Sequence, residues 1–318
     1  MMRASFSVSK LGAIFLHFLF IFILVGNVLA QDDDEPIKIE SSIVVLNATI
    51  TDAKGKFVNN LKQNQFQIFE DGKEQKIESF QAEQVPFAAV ILIDSSGSMT
   101  VRDSNLVFER VRVARAAAIS FLDYLRPDDL VAIYRFDSKV EQVQDFSSNR
   151  DAPESIFDMK ADGMTALNDA IYKASEELAK RSEKRKAIIV LSDGGDTNSR
   201  YSAEKALKRA IAASATIYTV DISTIEERTR YQNTSILKNF ADKSGGRFVS
   251  AQNGQALRET FKNLAEELRS QYTITYQPTN SAKDGKWRSI EMKTNKTDLT
   301  VRTRKGYNAP TDAEKGKK

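Results

Sequence analysis

The chain has 318 residues, no cysteine and a single histidine, His17, so disulfides, thiol nucleophiles and thiolate metal sites are excluded. Outside the leader described below there is no imidazole either, which removes a Ser-His-Asp triad, a Cys-His pair and a histidine-ligated zinc. Arg3 and Lys10 are the only charges in residues 1–30, so of 46 basic and 43 acidic residues the remainder keeps 44 and 43, a balance that supplies no reason to expect nucleic acid or an anionic membrane as partner.

Residues 1–30 read as a signal peptide. Arg3 and Lys10 make a basic start, Leu11 to Val25 is almost wholly apolar, and Val28-Leu29-Ala30 is a small-residue cleavage pattern before Gln31-Asp32-Asp33-Asp34. The competing reading is a retained membrane anchor, since the apolar run is nearly long enough to span a bilayer. Cleavage predicts an exported chain, periplasmic or extracellular, with no membrane association after processing.

From Ile37 to about Gln84 the pattern is β-like. Short alternating runs at Ile43, Val45, Ala48 and Ile50 precede a turn at Asp52-Ala53-Lys54-Gly55-Lys56. Phe66 and Ile68 alternate with glutamines, Glu70-Asp71-Gly72-Lys73 is an Asp-Gly hairpin signal, and Lys76 to Phe80 is the expected partner strand. Some fifty residues make a marginal core, so this segment needs help from elsewhere in the chain.

From Phe87 strands and helices alternate. Phe87 to Ile93 is an apolar run that reads as a strand buried on both faces. Asn105 to Leu125 has apolar residues at helical spacing, Leu130 to Phe136 is a second buried strand, and Lys139 to Phe146 a short edge strand. Helix Leu167 to Ala179, the basic run Arg181 to Lys186 (read as a solvated helix end) and strand Ala187 to Leu191 follow. Ala203 to Ala213 and Ser235 to Lys243 read as helices, Thr216 to Val220 and Arg247 to Ser250 as strands, and Gln255 to Arg269 as a closing helix. After Ser270 the β pattern returns at Tyr272 to Tyr276, Trp287 to Met292 and Leu299 to Arg304.

This order predicts an α/β fold, a doubly wound and mostly parallel sheet of Rossmann type, inserted into a small β-sandwich made by the N- and C-terminal segments. The expected divisions are a sandwich segment at 37–85, the α/β domain at 86–270, a second sandwich segment at 271–307 and a structureless tail at 308–318.

Three loops carry oxygen side chains. Strand Phe87 to Ile93 stops at Asp94-Ser95-Ser96-Gly97-Ser98, in which Asp94, Ser96 and Ser98 alternate and Gly97 permits a sharp bend. Short oxygen ligands on a tight loop suit a small hard cation, although an isolated stretch of this kind is also an ordinary turn. The second loop is Asp162-Gly163-Met164-Thr165 before a helix, and the third is Ser192-Asp193-Gly194-Gly195-Asp196 after a strand. In an open parallel sheet such loops meet where the strand order reverses, which would place three hydroxyls and two carboxylates around one point.

At these residues the chain resembles the von Willebrand factor type A family. Asp94-Ser95-Ser96-Gly97-Ser98 matches its DxSxS motif, Gly163-Met164-Thr165 its threonine loop, and Ser192-Asp193-Gly194 its second aspartate. With Glu70-Asp71-Gly72-Lys73 before the domain and Arg304-Lys305-Gly306-Tyr307 after it, the chain looks like the bacterial exported subgroup of related proteins. Met164 departs from the glycine common before the threonine.

The resemblance implies a metal-ion-dependent adhesion site formed by Asp94, Ser96, Ser98, Thr165 and Asp193, holding Mg²⁺ or Mn²⁺. In that family the three hydroxyls touch the ion and the aspartates often act through water. The implied role is a binding module, not an enzyme, that captures a protein partner presenting an acidic side chain. Two alternatives remain at this point: a metal-dependent hydrolase, for which Asp196 is the available base, and a structural module whose ion only ties the loops together.

Overall fold

A computed structural model describes residues 43–103, 106–223, 234–251 and 254–311. The expected signal peptide and the acidic residues after it lie outside the described residues. Strand β1 (Val44–Thr51) buries Val44, Leu46, Ala48 and Ile50, one face of a regular alternation. Strands β2 (Phe66–Glu70) and β3 (Lys73–Gln75) form the Asp-Gly hairpin, with positive φ at Asp71 (49°) and Gly72 (78°). Two successive left-handed residues make the tight turn whose twist matches that of the strands.

The hairpin partner therefore ends at Gln75. Strand β4 (Ile77–Gln81), expected to complete that hairpin, turns a corner and pairs antiparallel with a strand from the far end of the chain, Tyr272–Tyr276. Gln75 is buried and bonded to Thr279, which anchors the corner on that distant segment.

The α/β part begins with β5 (Phe87–Asp94), all eight residues of which are buried. Next come β6 (Thr100–Asp103), β7 (Leu106–Glu109) and helix α1 (Arg110–Leu122). The helix expected from Asn105 thus starts five residues later, because Leu106–Glu109 pairs antiparallel with Thr100–Asp103. Leu106-Val107-Phe108 has the β-branched and aromatic character that a strand favours, and pairing overrides the helical spacing. Strands β8 (Leu130–Phe136) and β9 (Val140–Ser147), helix α2 (Leu167–Ala179), strand β10 (Arg185–Ser192), helix α3 (Ala203–Ala212), strand β11 (Ala215–Asp221), helix α4 (Thr234–Ser244), strand β12 (Phe248–Ser250) and helix α5 (Gly254–Ser270) complete this part.

Its six-stranded sheet has the order β12-β11-β10-β5-β8-β9 and is parallel except for the edge strand β9. Alternation along β5 sends Phe87, Ala89, Ile91 and Ile93 under α1 and α5, and Ala88, Val90 and Leu92 under α2, α3 and α4. A strand covered on both faces needs an unbroken apolar run, and this is the run seen in the sequence.

The remaining strands, β13 (Tyr272–Tyr276), β14 (Trp287–Thr294), β15 (Thr300–Arg302) and β16 (Gly306–Asn308), return to the first four. Two four-stranded sheets result, β15-β1-β13-β4 and β16-β14-β2-β3. They share a core that includes Leu46, Ile50, Phe66, Ile68, Tyr272, Ile274, Ile290 and Met292. The α/β part is thus inserted into a β-sandwich contributed by both ends. Strand β16 runs to Asn308 and Thr311 bridges Asp284, so the structureless tail expected from residue 308 does not start there. Residues 312–318 lie outside the described residues.

Arg185 locks this junction. The basic run was expected to be solvated, yet Arg185 is wholly buried. It donates to the carbonyls of Arg269 (2.6 Å), Leu268 (3.4 Å), Glu83 (2.7 Å) and Gln271 (2.5 Å) and to Thr273 Oγ1 (3.4 Å). Those acceptors include the last carbonyls of α5, which carry the negative end of the helix dipole. Burial pulls the guanidinium down to about 10, still charged at neutral pH. Among the described residues, no helix is long and apolar enough to cross a membrane.

Candidate functional site

Strand β5 lies between β8 and β10, and its following helix α1 packs on the opposite face from α3, which follows β10. The loops leaving β5 and β10 therefore diverge at the carboxyl edge of the sheet and leave a crevice between them.

Asp94 closes β5 and is wholly buried. Its Oδ1 accepts from the Ser96 N–H at 2.9 Å and the Ser96 hydroxyl at 2.6 Å, and its Oδ2 accepts from the Ser192 hydroxyl at 2.6 Å. Ser96 Oγ stands 3.1 Å from Ser98 Oγ. Ser96 is buried and Ser98 exposed, so a chain of oxygens runs from an interior carboxylate to the surface. Burial pushes the Asp94 carboxyl up to about 7, the negative charge of Asp193 pushes the same way, and the bonds from Ser192 and Ser96 pull back.

The second loop is stitched to the first by its backbone. The Asp162 N–H donates to Ser95 O at 2.8 Å, and the Gly97 N–H donates to Gly163 O at 3.0 Å. Gly163 has φ 75°, and a Cβ there would stand 2.8 Å from Ser138 Oγ, the atom that accepts the Met164 N–H at 2.9 Å. Glycine is favoured on both counts. The third loop clasps the second: the Thr197 and Asn198 N–H groups donate to Thr165 O at 2.9 and 3.0 Å, and the Thr165 N–H donates to Thr197 Oγ1 at 3.0 Å.

Four of the five oxygen-bearing residues singled out in the sequence are thereby coupled: Asp94, Ser96 and Ser98 by hydrogen bonds, and Asp193 by its charge on Asp94. Thr165, 5% exposed, reaches the same edge through the Gly97–Gly163 and Thr165–Thr197 backbone links, and no hydrogen bond among the described residues joins its side chain to the other four. Asp196 has another task. Its Oδ2 accepts from the Asn168 N–H at 2.8 Å and the Ser199 hydroxyl at 2.6 Å, so it caps α2 from a distant loop where the local cap position is Ala166.

Two residues of the site escaped the sequence reading. Ser192 precedes Asp193 and was readable as the first polar side chain after the run Ala187 to Leu191. Arg110, 3% exposed, places Nη1 at 3.7 Å from Asp193 Oδ2, and nothing in its sequence neighbourhood marks it.

Chemically, the edge offers two carboxylates and three hydroxyls, an all-oxygen set matched to a hard divalent cation. Among the described residues no group of three or more His, Cys, Asp or Glu side chains is placed to hold a metal, so any ion here depends on hydroxyls as much as on carboxylates.

Residues 89–195, which carry all three loops, match the von Willebrand factor type A domain family. Over those residues the doubly wound unit is similar to von Willebrand factor type A domains. Domains of this family often mediate protein interactions.

Among curated proteins, the chain is 24% identical over 188 residues to an uncharacterized protein of Synechocystis, covering 58% of this chain and 42% of that protein. It is also 24% identical over 202 residues to a UPF0353 protein of Mycolicibacterium gilvum, covering 57% and 60%. The matches span about half the length of these relatives. Solved structures with a similar fold include the PilB minor pilin of Streptococcus sanguinis (17% identity, 59% of this chain and 62% of that one, TM-score 0.46). Another is a von Willebrand factor type A protein of Catenulispora acidiphila (13% identity, 86% and 74%, TM-score 0.47).

Proposed function

We propose that this protein is an exported binding module that holds a divalent cation, Mg²⁺ or Mn²⁺, and through it captures an acidic side chain of a partner protein. The observation that carries the reading is the buried Asp94 at the sheet's reversal point, connected by hydroxyls to the exposed Ser98. Asp94, Ser96, Ser98, Thr165 and Asp193 are the residues that would hold the ion. The ion supplies an open coordination position for a carboxylate. With hydroxyls as the direct ligands and the aspartates acting through water, the ion would keep most of its charge and favour an outside anion as its last ligand.

Binding is favoured over hydrolysis by the state of Asp196. A water-activating mechanism needs a general base, and Asp196 Oδ2 is already bonded to the Asn168 N–H and the Ser199 hydroxyl. A purely structural ion is disfavoured by the exposure of Ser98, which leaves one side of the site open to solvent. Export rests on the leader pattern of residues 1–30.

Thermal unfolding with added Mg²⁺ tests the reading. At about ten times its dissociation constant the ion should add about 1.4 kcal/mol of stability, and Asp94→Ala should remove that response. No shift with either Mg²⁺ or Mn²⁺ sinks the proposal. A shift without any Mg²⁺-dependent effect of added carboxylate leaves the structural ion as the better account.

A further inference from the structure

Four large apolar side chains among the described residues are exposed: Ile43, Phe157, Met164 and Trp287. Phe157 and Met164 stand on the segment between β9 and α2 that carries the threonine loop. Phe157 is held against α1 by Arg115, which lies 5.4 Å over its ring and donates to its carbonyl at 2.8 Å. Met164, 56% exposed, immediately precedes Thr165, and its backbone is pinned on both sides. The Met164 N–H donates to Ser138 Oγ at 2.9 Å, Gly163 O accepts the Gly97 N–H at 3.0 Å, and the Thr165 N–H and carbonyl are both bonded to the third loop. A fixed backbone removes one cost of covering the side chain it carries. The other exposed residues of the first two loops are Gly97, Ser98, Asp162 and Gly163, so Met164 is the one large apolar group on that rim.

We infer that the partner of this site presents one acidic side chain beside an apolar one, the carboxylate entering the cation position and the apolar group covering Met164. This rests on the cation site proposed above. A single exposed apolar residue is ordinary on a protein surface, but methionine is enriched where protein surfaces meet, and this one adjoins the hydroxyl ligands. Asp162 argues against a run of acids in the partner. Its exposed carboxylate, fixed by the Gly163 N–H at 2.8 Å, lies on the same loop, so a second acidic residue would meet like charge where Met164 offers an apolar surface.

The test titrates Mg²⁺-loaded protein, carrying ¹³C-methyl methionine, with acetate and with hexanoate at constant ionic strength. The other described methionines, Met99, Met159 and Met292, are buried, so the Met164 methyl gives a separate NMR signal, assigned by its loss in Met164→Ser. Hexanoate should bind about tenfold more tightly than acetate, the gain from covering about two methylene groups, and should move that signal. Met164→Ser should bring hexanoate down to the acetate value, and Met164→Leu should keep the preference.

Equal binding of the two carboxylates to wild type, or a hexanoate preference that survives in Met164→Ser, overturns the apolar contact and leaves the cation site standing. Hexanoate binding as strong in chelator as with Mg²⁺ overturns the pairing of the two contacts. A peptide of residues 31–36, with its run Asp32-Asp33-Asp34-Glu35, that binds more tightly than hexanoate and equally well to Met164→Ser makes an acidic run the better occupant and also overturns it. Mg²⁺-loaded protein that binds neither carboxylate overturns the capture reading itself.

Discussion

Ser192 donates its hydroxyl to Asp94 Oδ2 at 2.6 Å, joining the ends of β10 and β5 across the point where the strand order reverses. The same Ser192 oxygen accepts the Gly194 N–H at 3.0 Å, so one serine orients both the buried carboxylate and the loop that carries Asp193. The two loops are held in register by the fold itself, and preorganisation of this kind lowers the cost of binding a ligand.

Ser192→Ala should destabilise the metal-free protein by about 1–3 kcal/mol, the cost of leaving a buried acceptor and the Gly194 N–H unpaired. Urea denaturation in chelator measures it. A loss below a few tenths of a kcal/mol would show that the bond contributes nothing to loop order.

Asp94 makes metal-free stability depend on pH. Its carboxyl, pushed up to about 7, keeps a proton in the fold at pH values where the unfolded chain has lost it. The raised value means that this contribution is complete below the unfolded value near ~4 and is lost as pH rises through about 7. Urea midpoints taken from acid to alkaline pH in chelator should fall across that window, while Asp94→Asn should be flatter. Added Mg²⁺ should offset the loss at the alkaline end, since the ion competes with the proton. Parallel profiles for the wild type and the Asn variant would contradict the assignment.

Gly163→Ala tests the stitch between the first two loops. The new methyl meets Ser138 Oγ and the residue must hold φ 75°, a conformation that costs an L-residue about 1–2 kcal/mol. The protein should stay folded, because the residue is exposed, but the Gly97–Gly163 bond should loosen and the apparent Mg²⁺ affinity fall several-fold. Unchanged affinity at reduced stability would separate loop geometry from ion binding.

Arg185→Leu should cost at least about 3 kcal/mol, since it strands buried carbonyls at the junction. It should also uncouple the two parts of the molecule. Trp287, the single tryptophan of the chain, lies on β14 and reports on the sandwich, whereas far-UV circular dichroism is dominated by the helices of the α/β part. Coincident unfolding transitions in wild type should separate in the variant; coincidence in both would show that other contacts suffice to couple the parts.

Much of the architecture was legible because it rests on local period. The apolar run of β5 can only be a strand with helices on both sides, and the spacing at Leu167 to Ala179 can only bury one face of a helix. The oxygen loops were legible for a related reason: Asp94, Ser96 and Ser98 lie within five residues, and their alternation is a property of the chain itself. The helix start at Arg110 was not legible, because pairing between Thr100–Asp103 and Leu106–Glu109 competes with the helical pattern and wins.

By itself, the sequence determined which side-chain atoms the candidate site can offer. A chain without cysteine, and without histidine outside its first thirty residues, has only oxygen chemistry to offer at such a site. Tertiary structure alone decided who the neighbours are: that β4 leaves its hairpin for β13, that Arg185 is an interior lock, that Asp196 caps a helix, and that Ser192 and Arg110 attend Asp94 and Asp193. Those facts depend on which distant segments pack together. Partner choice across more than ninety residues, as between Asp94 and Ser192, is set by the register of the whole sheet and the closure of its core, which no local periodicity encodes.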